Sequence, residues 1–246
     1  MPSTIRLFGV QLTCWSREDA VSAIIGAISR PRATPLVLIH VNVHTFRTVS
    51  KNRDLWENLQ ARALLLLEGV GLKAACVLTK GRAPADTNGT DVFPSFLNAV
   101  RGTPCRLFLL GGSPEDVAGA KRRIEQNWPH VEIVGCRDGY FAVDELLTLR
   151  EQVRRASPTV LLIGMGSPRQ EALALEFAQL SNLRAVWAVG GLFDRLSGRI
   201  ARAPSLILRA RLEWLFRIYV EPRRLAPRYL VAALWLVKSC ICDWIS

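Results

Sequence analysis

Two stretches of the chain share one pattern: Leu107–Glu115 reads LFLLGGSPE, and Leu161–Arg169 reads LLIGMGSPR. Each is an apolar run of strand length, followed by a glycine turn and a Ser-Pro pair. Ser113 and Ser167 are predicted N-caps, and the proline after each is predicted to open a helix. Two such β-turn-α units are typical of a parallel sheet with crossover helices, whatever the function of the protein.

Further apolar runs extend this pattern along the middle of the chain. They are short and uninterrupted, which is typical of strands buried on both faces of a parallel sheet. Segments with helical spacing separate most of them. The sequence therefore predicts an α/β fold with a doubly wound, mainly parallel, Rossmann-like sheet. The predicted strands are Leu36–Val41, Ala63–Leu67, Arg106–Leu110, Val131–Val134, Val160–Ile163 and Ala185–Val189.

Composition excludes several other classes of protein. Half of the 246 residues are hydrophobic and 22% are charged, so the chain is neither disordered nor fibrous. The six cysteines include no C-x-x-C pair of the kind found in zinc and redox sites. The N-terminus does not read as a signal peptide, and we expect a reduced, cytoplasmic protein.

The positive charge is concentrated near the C-terminus. Of the net charge of +11, +7 lies between Arg199 and Lys238, among leucines and aromatic residues at helical spacing. We therefore predict an α/β catalytic domain over residues 1–198 and a basic, amphipathic helical appendage over residues 199–246. Breaks are predicted near Pro222 and Pro227.

The appendage has a composition that suits a membrane surface. Its longest apolar run, Tyr229–Ile245, is interrupted by Lys238 and Asp243 and falls short of the roughly 20 residues that cross a bilayer. We therefore expect it to lie on an anionic membrane rather than to span it. A solvated basic face on an ordinary helix is the alternative. No nucleic-acid-binding motif is visible, so nucleic acid is not an expected partner.

Polar and glycine residues cluster where a ligand site is expected, beyond the carboxyl ends of the predicted strands. A glycine turn that enters a helix can bind phosphate, although such turns are also common without a ligand. Two turns facing one cleft favour a diphosphate, and neither the dinucleotide fingerprint nor a P-loop is present. The residues in question are Asn42, Glu68, Gly111, Gly112, Ser113, Asp138, Tyr140, Gly164, Gly166, Ser167, Gln170, Gly190 and Asp194.

Carboxylates at the strand ends are candidate catalytic groups. Glu68 closes the apolar stretch ALLLLEGVG, where partial burial would suit it to general-base work; a structural cap is the alternative. Asp91 could cap a helix or accept a sugar hydroxyl, and spacing favours the cap. Metal ligation is not expected, because His40 and His44 straddle a strand end and no D-x-D pair exists. Arginines and helix ends would then neutralise a bound diphosphate.

A series of short motifs, taken in their order along the chain, resembles the WecG/TagA/CpsF family of bacterial glycosyltransferases (glycosyltransferase family 26). The similarity runs from about Phe8 to Tyr229. The matching positions are Asn42, Asn88–Asp91, Gly111–Gly112, Asp138–Phe141, Gly164–Glu171, Gly190–Asp194, Gly198, Arg202–Pro204, Leu212–Trp214, Arg217 and Glu221–Arg224.

The resemblance implies an inverting, metal-independent transfer without a cofactor. The donor would be a UDP-activated hexose, N-acetylhexosamine or uronic acid, and the acceptor a sugar on a polyprenyl diphosphate at the cytoplasmic membrane face. The product would belong to a cell-surface polysaccharide or exopolysaccharide. It also implies self-association into homo-oligomers.

Site roles follow from the same resemblance. Glu68 stands where the family has its proposed aspartate base, and His40 where the family often has threonine. Asn42 and Asp91 would position sugar hydroxyls, while Arg217 and Arg224 would clamp the diphosphate. The other positions expected to bind substrate are Asn88, Thr90, Glu171 and Arg228, together with the glycine turns, which would hold UDP.

Two other functions remain open at this point. One is a non-catalytic, peripheral membrane scaffold of a polysaccharide assembly complex, which would use the same basic appendage. The other is a nucleotide-dependent oxidoreductase on a related doubly wound fold, although the glycine fingerprint of that class is missing.

Overall fold

A computed structural model describes residues 3–30, 34–85, 87–200, 203–204, 206–207, 210 and 212–245. Among these residues an eight-stranded sheet forms the centre of the molecule, in the order β1-β2-β4-β3-β8-β7-β5-β6. Six neighbouring strands are parallel, namely β4, β3, β8, β7, β5 and β6. This arrangement confirms the predicted fold class. The strands are β1 (Thr4–Leu7), β2 (Val10–Thr13), β3 (Leu36–Val41), β4 (Leu64–Leu67), β5 (Arg106–Gly111), β6 (Glu132–Arg137), β7 (Val160–Gly164) and β8 (Ala185–Ala188).

Helices follow most of the strands and cover both faces of the sheet. A short 3₁₀ turn, Val143–Glu145, precedes the seventh helix. The described helices are α1 (Arg17–Ser29), α2 (Val43–Val49), α3 (Arg53–Arg62), α4 (Val70–Lys80), α5 (Gly89–Ala99), α6 (Pro114–Asn127), α7 (Leu146–Ala156), α8 (Arg169–Phe177), α9 (Leu192–Leu196), α10 (Glu213–Val220) and α11 (Pro222–Ile245).

The sheet separates two hydrophobic cores, because successive side chains of a strand point to opposite faces. On β3, Val37 and Ile39 belong to one core, and Leu36 and Leu38 belong to the other. Trp187 of β8 is fully buried in the second core. Burial on both faces explains why these strands read as uninterrupted apolar runs.

The sequence analysis missed the hairpin of β1 and β2. These strands are antiparallel, and Leu7 pairs with Val10 across a turn in which Phe8 and Gly9 both have positive φ. Each strand has four residues, which is too short for a clear alternating pattern. Only the pairing of β2 with β4 shows that the hairpin extends the sheet.

Two predicted caps are wrong and one is confirmed. Ser113 caps α6 and accepts a hydrogen bond from the backbone N–H of Asp116. Ser167, by contrast, does not cap α8, because the Ser167 hydroxyl contacts the side chains of Thr45 and Glu171 instead. The N-cap of α8 is Pro168. Asp91 lies in the first turn of α5, and Asn88 is the residue that caps this helix.

The C-terminal helices break at one proline rather than two. The break between α10 and α11 lies at Glu221, next to Pro222, as predicted. The break expected at Pro227 is wrong, because this proline lies inside α11. It stands near the start of the helix, where the missing N–H disrupts the hydrogen bonds of one turn only.

The last helix is longer and more continuously apolar than expected. Its segment Leu225–Asp243 has 19 residues and a mean hydropathy of 1.4, enough by length and composition to cross a membrane. One side of α11 nevertheless packs on α2 and α4. Trp235 contacts the rings of Phe8 and Phe46, and the carboxylate of Asp243 lies 2.7 Å from the ammonium group of Lys80.

The opposite side of α11 exposes large apolar side chains. Leu230, Val231, Leu234, Val237 and Ile241 are each at least 46% exposed. We call these five residues the apolar face of α11. A continuous apolar surface on one helix is typical of a binding surface rather than of a solvated one.

Gly111 is required where β5 and β7 end side by side. Its φ is +128°, and a Cβ atom there would overlap the backbone carbonyl of Gly164. We expect Gly111→Ala to lower the free energy of unfolding by about 3 kcal/mol or more, because both backbone strain and overlap result. Urea unfolding of the variant measures the loss.

Gly81 provides the matched control for this prediction. Its φ is +70°, and a Cβ atom there would meet no heavy atom within 4 Å. Gly81→Ala should therefore cost only about 1 kcal/mol, which is the penalty of one left-handed residue. Equal losses in the two variants would contradict the close approach at Gly111.

Candidate active site

A cavity of about 690 Å³ opens at the carboxyl ends of β3, β4, β5, β7 and β8. Its volume suits a ligand the size of a nucleotide. Residues of the C-terminal helices complete its wall. The structure brings these predicted site residues to the cavity: His40, Asn42, Glu68, Thr90, Gly112, Ser113, Tyr140, Gly164, Gly166, Ser167, Gln170, Gly190, Asp194, Arg217 and Arg228.

Other predicted site residues lie outside the cavity wall. Gly111 is in the sheet, and the Asn88 side chain caps α5 beside Asp91. The carboxylate of Asp138 accepts a hydrogen bond from the backbone N–H of Tyr140 and pairs with Arg137. Glu171 is buried behind the wall. Arg224 lies in α11, but its side chain falls outside the described part of the chain, as does Arg202.

Asn42 joins the end of β3 to the start of α2. Its Oδ1 atom accepts hydrogen bonds from the backbone N–H groups of His44, at 3.0 Å, and Thr45, at 3.1 Å. This N-cap fixes the side chain at the cavity wall. Because the oxygen caps the helix, the amide N–H₂ group is the part of Asn42 suited to contact a ligand.

His40 is held as a neutral imidazole. Burial lowers its pKa to about 4, although an interaction with the backbone of Thr87 partly opposes this effect. The indole N–H of Trp187 donates to Nε2 of His40 at 2.7 Å. An indole N–H can only donate, so Nε2 is the acceptor and Nδ1 carries the proton. The residue is therefore unsuited to be an acid–base catalyst near neutral pH.

Glu68 lies directly after β4 and is partly exposed to the cavity. Its backbone N–H donates to the carbonyl of Val41 at 2.9 Å, which carries the β3–β4 pairing one residue beyond the strands. Gly69 follows with a φ of +88° and turns the chain into α4. Glu68 thus stands at the rim of the sheet, where a carboxylate can meet both solvent and ligand.

The two glycine turns lie next to each other. The backbone N–H of Gly112 donates to the carbonyl of Gly164, and that of Gly139 donates to the carbonyl of Gly112, both at 2.9 Å. Ser113 then begins α6, so the positive end of this helix points to the cavity. The arrangement suits an anionic ligand group.

Ser167 connects the two halves of the cavity. Its hydroxyl oxygen lies 3.0 Å from that of Thr45, on the β3 side, and 2.7 Å from Oε1 of Glu171. The amide of Gln170 also donates to Glu171, at 3.0 Å. Burial raises the pKa of Glu171, although the hydrogen bonds from Ser167 and Gln170 oppose the rise. Glu171 thus orders cavity residues from behind.

Cationic groups of the C-terminal helices complete the cavity. Arg217 of α10 reaches the turn after β8, where a Cβ atom on Gly191 would lie 3.5 Å from its guanidinium. Arg228 of α11 lines the same cavity. The structure therefore brings basic residues that are distant in the sequence to the carboxyl ends of the strands.

Several charged residues at the cavity were missed by the sequence analysis. Asp116 is 2% exposed, and its two carboxylate oxygens share a bifurcated hydrogen bond from the Nε–H group of Arg199, at 2.8 and 3.0 Å. Arg199 also pairs with Asp194 at 3.1 Å. Burial alone would raise the pKa of Asp116, but its hydrogen bonds from Arg199, Ser197 and Ser113 outweigh burial and lower it. No local sequence pattern marks this cluster.

Arg169 and Arg195 were missed as well. Arg169 donates to the carbonyls of Gly139 and Phe141, and its guanidinium lies 4.5 Å from the centre of the Phe141 ring. It therefore orders the loop after β6. Arg195 lines the cavity with a side chain that is only 10% exposed, and it pairs with Glu213 of α10.

Within the described ranges, no group of three or more His, Cys, Asp or Glu side chains is placed to hold a metal ion.

The chain is similar to known proteins over most of its length. The model of the Glycosyl transferase WecG/TagA/CpsF family matches residues 5–246. The chain is also 30% identical over 188 residues to the N-acetylglucosaminyldiphosphoundecaprenol N-acetyl-beta-D-mannosaminyltransferase of Bacillus subtilis (strain 168). This match covers 76% of the present chain and 73% of the Bacillus protein.

The pKa of His40 leads to a prediction about stability. Burial lowers this pKa from 6.5 to about 4, so below pH 6.5 the unfolded chain takes up a proton that the folded chain excludes. The contribution of the neutral His40 to the free energy of unfolding is therefore fully present above pH 6.5 and is lost as the pH falls towards 4. Between pH 7 and 5 the loss due to His40 should be about 2 kcal/mol.

His40→Gln measures this contribution. Urea unfolding at pH 7 and pH 5 should show a loss on acidification that is about 2 kcal/mol smaller in the variant than in the wild type. Burial also lowers the pKa of His44 to about 4. His44 is present in both proteins, so its contribution cancels in the comparison. The same pH dependence in both proteins would contradict the neutral His40.

Proposed function

Because the chain belongs to the WecG/TagA/CpsF family of glycosyltransferases, we propose that it transfers a hexose, an N-acetylhexosamine or its uronic acid from a UDP-sugar. The proposed acceptor is a sugar on a polyprenyl diphosphate. The transfer inverts the anomeric centre and uses no metal ion. The product belongs to a cell-surface polysaccharide or exopolysaccharide.

One observation carries the proposal for the site. A carboxylate, two glycine turns and several arginines share one cavity: Glu68 lies on the rim, and Arg217 and Arg228 come from the C-terminal helices. Transfer from a nucleotide sugar needs a base for the acceptor hydroxyl and positive charge for the departing diphosphate. Both kinds of group are present within reach of one ligand.

The proposed donor site lies at the turns after β5 and β7. The N-terminus of α6, with Gly112 and Ser113, would contact the diphosphate of UDP. A hydrogen bond closes the turn from Gly166 to Gln170, because the side-chain oxygen of Gln170 accepts from the backbone N–H of Gly166 at 3.2 Å. A preformed turn loses little conformational entropy when a nucleotide binds.

In the proposed reaction, Glu68 takes the proton of the acceptor hydroxyl. The hydroxyl oxygen forms a new bond to the anomeric carbon from the face opposite the leaving group. The bond between this carbon and the diphosphate oxygen breaks, and UDP departs with the electron pair. Asn42, whose amide N–H₂ group is suited to contact the ligand, would orient a sugar oxygen.

Positive charge at the leaving group would replace a metal ion. Negative charge grows on the diphosphate in the transition state, so cations that contact it there lower the barrier. Arg217 and Arg228 would supply this charge, with Arg224 as a third candidate. Guanidinium groups suit the role because they bind phosphate oxygens in a bidentate way.

The relative from Bacillus subtilis supports the choice of acceptor. Its name describes a transferase that acts on an N-acetylglucosaminyl group carried by diphosphoundecaprenol. For the present chain, we extend this to an N-acetylglucosamine or similar sugar on a polyprenyl diphosphate. Such an acceptor stays in the membrane, so the enzyme must reach the membrane surface.

The appendage, residues 199–246, is the proposed membrane-binding unit, and residues 1–198 are the proposed catalytic domain. The apolar face of α11 would enter the lipid boundary while the other side of the helix stays on α2 and α4. The half-buried ion pair between Asp243 of α11 and Lys80 of α4 favours this peripheral placement, since a spanning α11 would take the Asp243 carboxylate away from Lys80 and into lipid. We propose peripheral attachment at the cytoplasmic face of the membrane.

We predict that Glu68→Gln lowers turnover by about 10²–10⁴-fold, because the amide cannot accept the acceptor's proton. UDP release with a polyprenyl-diphosphate-linked N-acetylglucosamine measures the loss. Glu68→Asp is the matched control, since it keeps a carboxylate, and should retain more turnover than the amide variant. UDP affinity, measured by calorimetry, should change little in either. Near-normal turnover of Glu68→Gln would remove this residue from the mechanism.

A second prediction concerns the membrane. The double variant Leu230→Asp and Leu234→Asp should bind vesicles that contain phosphatidylglycerol at least about 10-fold more weakly, since carboxylates would enter the lipid boundary. Leu147→Asp is the control, because Leu147 on α7 is 77% exposed and lies outside α11. Co-sedimentation measures binding. Equal binding by all three proteins would contradict the proposed membrane face.

A further inference from the structure

Arg195 is a buried cation that the reaction proposed above does not use. It lies on α9, just after β8, and its side chain is only 10% exposed. It lines the same cavity as Glu68 and Arg217. A guanidinium this deeply buried costs free energy unless carboxylates compensate its charge.

Two carboxylates compensate Arg195, and they come from different parts of the chain. Glu213, the first residue of α10, forms an ion pair with it. Glu68, which follows β4, lines the same cavity as Arg195 and attracts it electrostatically. Burial lowers the pKa of Arg195 and Arg217 lowers it further, whereas Glu213 and Glu68 raise it. An electrostatic attraction is mutual, so Arg195 in turn attracts the carboxylate of Glu68.

Glu213 also connects Arg195 to the proposed diphosphate site. Glu213 and Arg217 are four residues apart on α10, so they share one face of that helix. The ion pair to Arg195 therefore fastens the face of α10 that carries Arg217. Arg195 stands between the sheet rim and the C-terminal helices.

We propose that Arg195 is a positioning residue that keeps the Glu68 carboxylate ionised and, through Glu213, holds α10 so that Arg217 reaches the cavity. This inference rests on the proposed function in one respect, since it takes Glu68 to be the base. A base must be ionised to accept a proton, and a nearby fixed cation meets this need without binding the substrate.

Other charged groups face the cavity, and most are already compensated. Asp116 and Asp194 share Arg199, and Arg169 donates to backbone carbonyls. His40 of β3 is neutral, because burial lowers its pKa to about 4.

The remaining charges belong to the C-terminal helices. Arg217 of α10 and Arg228 of α11 add positive charge, and Glu221 between these helices adds negative charge. All three reach the cavity only when α10 and α11 are in place. Arg195 differs from them because it belongs to α9, directly after β8, and lines the same cavity as Glu68 from there.

The direct test is the titration of Glu68 in protein labelled with ¹³C at the glutamate side-chain carboxyl. Glu68→Gln identifies the Glu68 signal by its loss. In Arg195→Met the midpoint of Glu68 should rise by about one pH unit or more relative to the wild type, because one opposite charge is removed. An unchanged midpoint would overturn the proposal. This readout requires no catalytic activity.

Two further variants separate charge from docking. Arg195→Lys keeps the charge, so its midpoint should stay near that of the wild type; a rise equal to that of Arg195→Met would overturn the proposal. Glu213→Gln weakens the docking of α10 but keeps Arg195, so the Glu68 midpoint should not rise. A rise as large as in Arg195→Met would assign the effect to displaced α10 and would also overturn it.

Kinetics provide the second arm of the experiment. The acidic limb of the kcat/KM profile should move to higher pH in Arg195→Met and stay in place in Glu213→Gln. Glu213→Gln should instead lower kcat by the same factor at every pH, because Arg217 acts on charge that grows in the transition state. The same acidic limb in Arg195→Met and the wild type would overturn the role of Arg195. Full turnover of Glu68→Gln would overturn Glu68 as the base while leaving the titration result intact.

Discussion

The central sheet is covered on both faces, and this constraint determines where chemistry can occur. Side chains that point up or down from a central strand enter one of two hydrophobic cores, where an unpaired polar group is costly. Polar residues are therefore favoured where the strands end. Because neighbouring strands run in parallel, their carboxyl ends meet at one edge and place Asn42, Glu68 and the glycine turns around one cavity.

Electrostatic compensation is the second constraint, and it depends on the C-terminal helices. Part of the charge at the cavity is balanced close to the sheet, since Asp116 and Asp194 both pair with Arg199, which follows α9. Arg195, in contrast, has its ion-pair partner on α10. The C-terminal helices therefore do more than add a basic surface. They complete the charge balance of a cavity whose other walls belong to the sheet.

Much of the fold could be predicted because its signals are local. Apolar runs of strand length predicted all six central strands, and Ser113 with its following proline predicted the start of α6. Where a longer-range contact competes with a local preference, the prediction failed. Ser167 has the local pattern of a cap, but its hydroxyl contacts Thr45, which lies 122 residues away. The β1–β2 hairpin was missed for a related reason, since its place depends on pairing with β4.

By itself, the sequence determined the parallel sheet, the glycine turns and the family of the protein, because periodicity, turn chemistry and ordered motifs depend on neighbouring residues. The tertiary structure decided which charged groups meet. Arg195 follows Asp194 without any distinguishing pattern, and nothing local connects it to Glu68 or Glu213. Charges act through space, so their partners are set by how β4, α9 and α10 pack rather than by their separation along the chain.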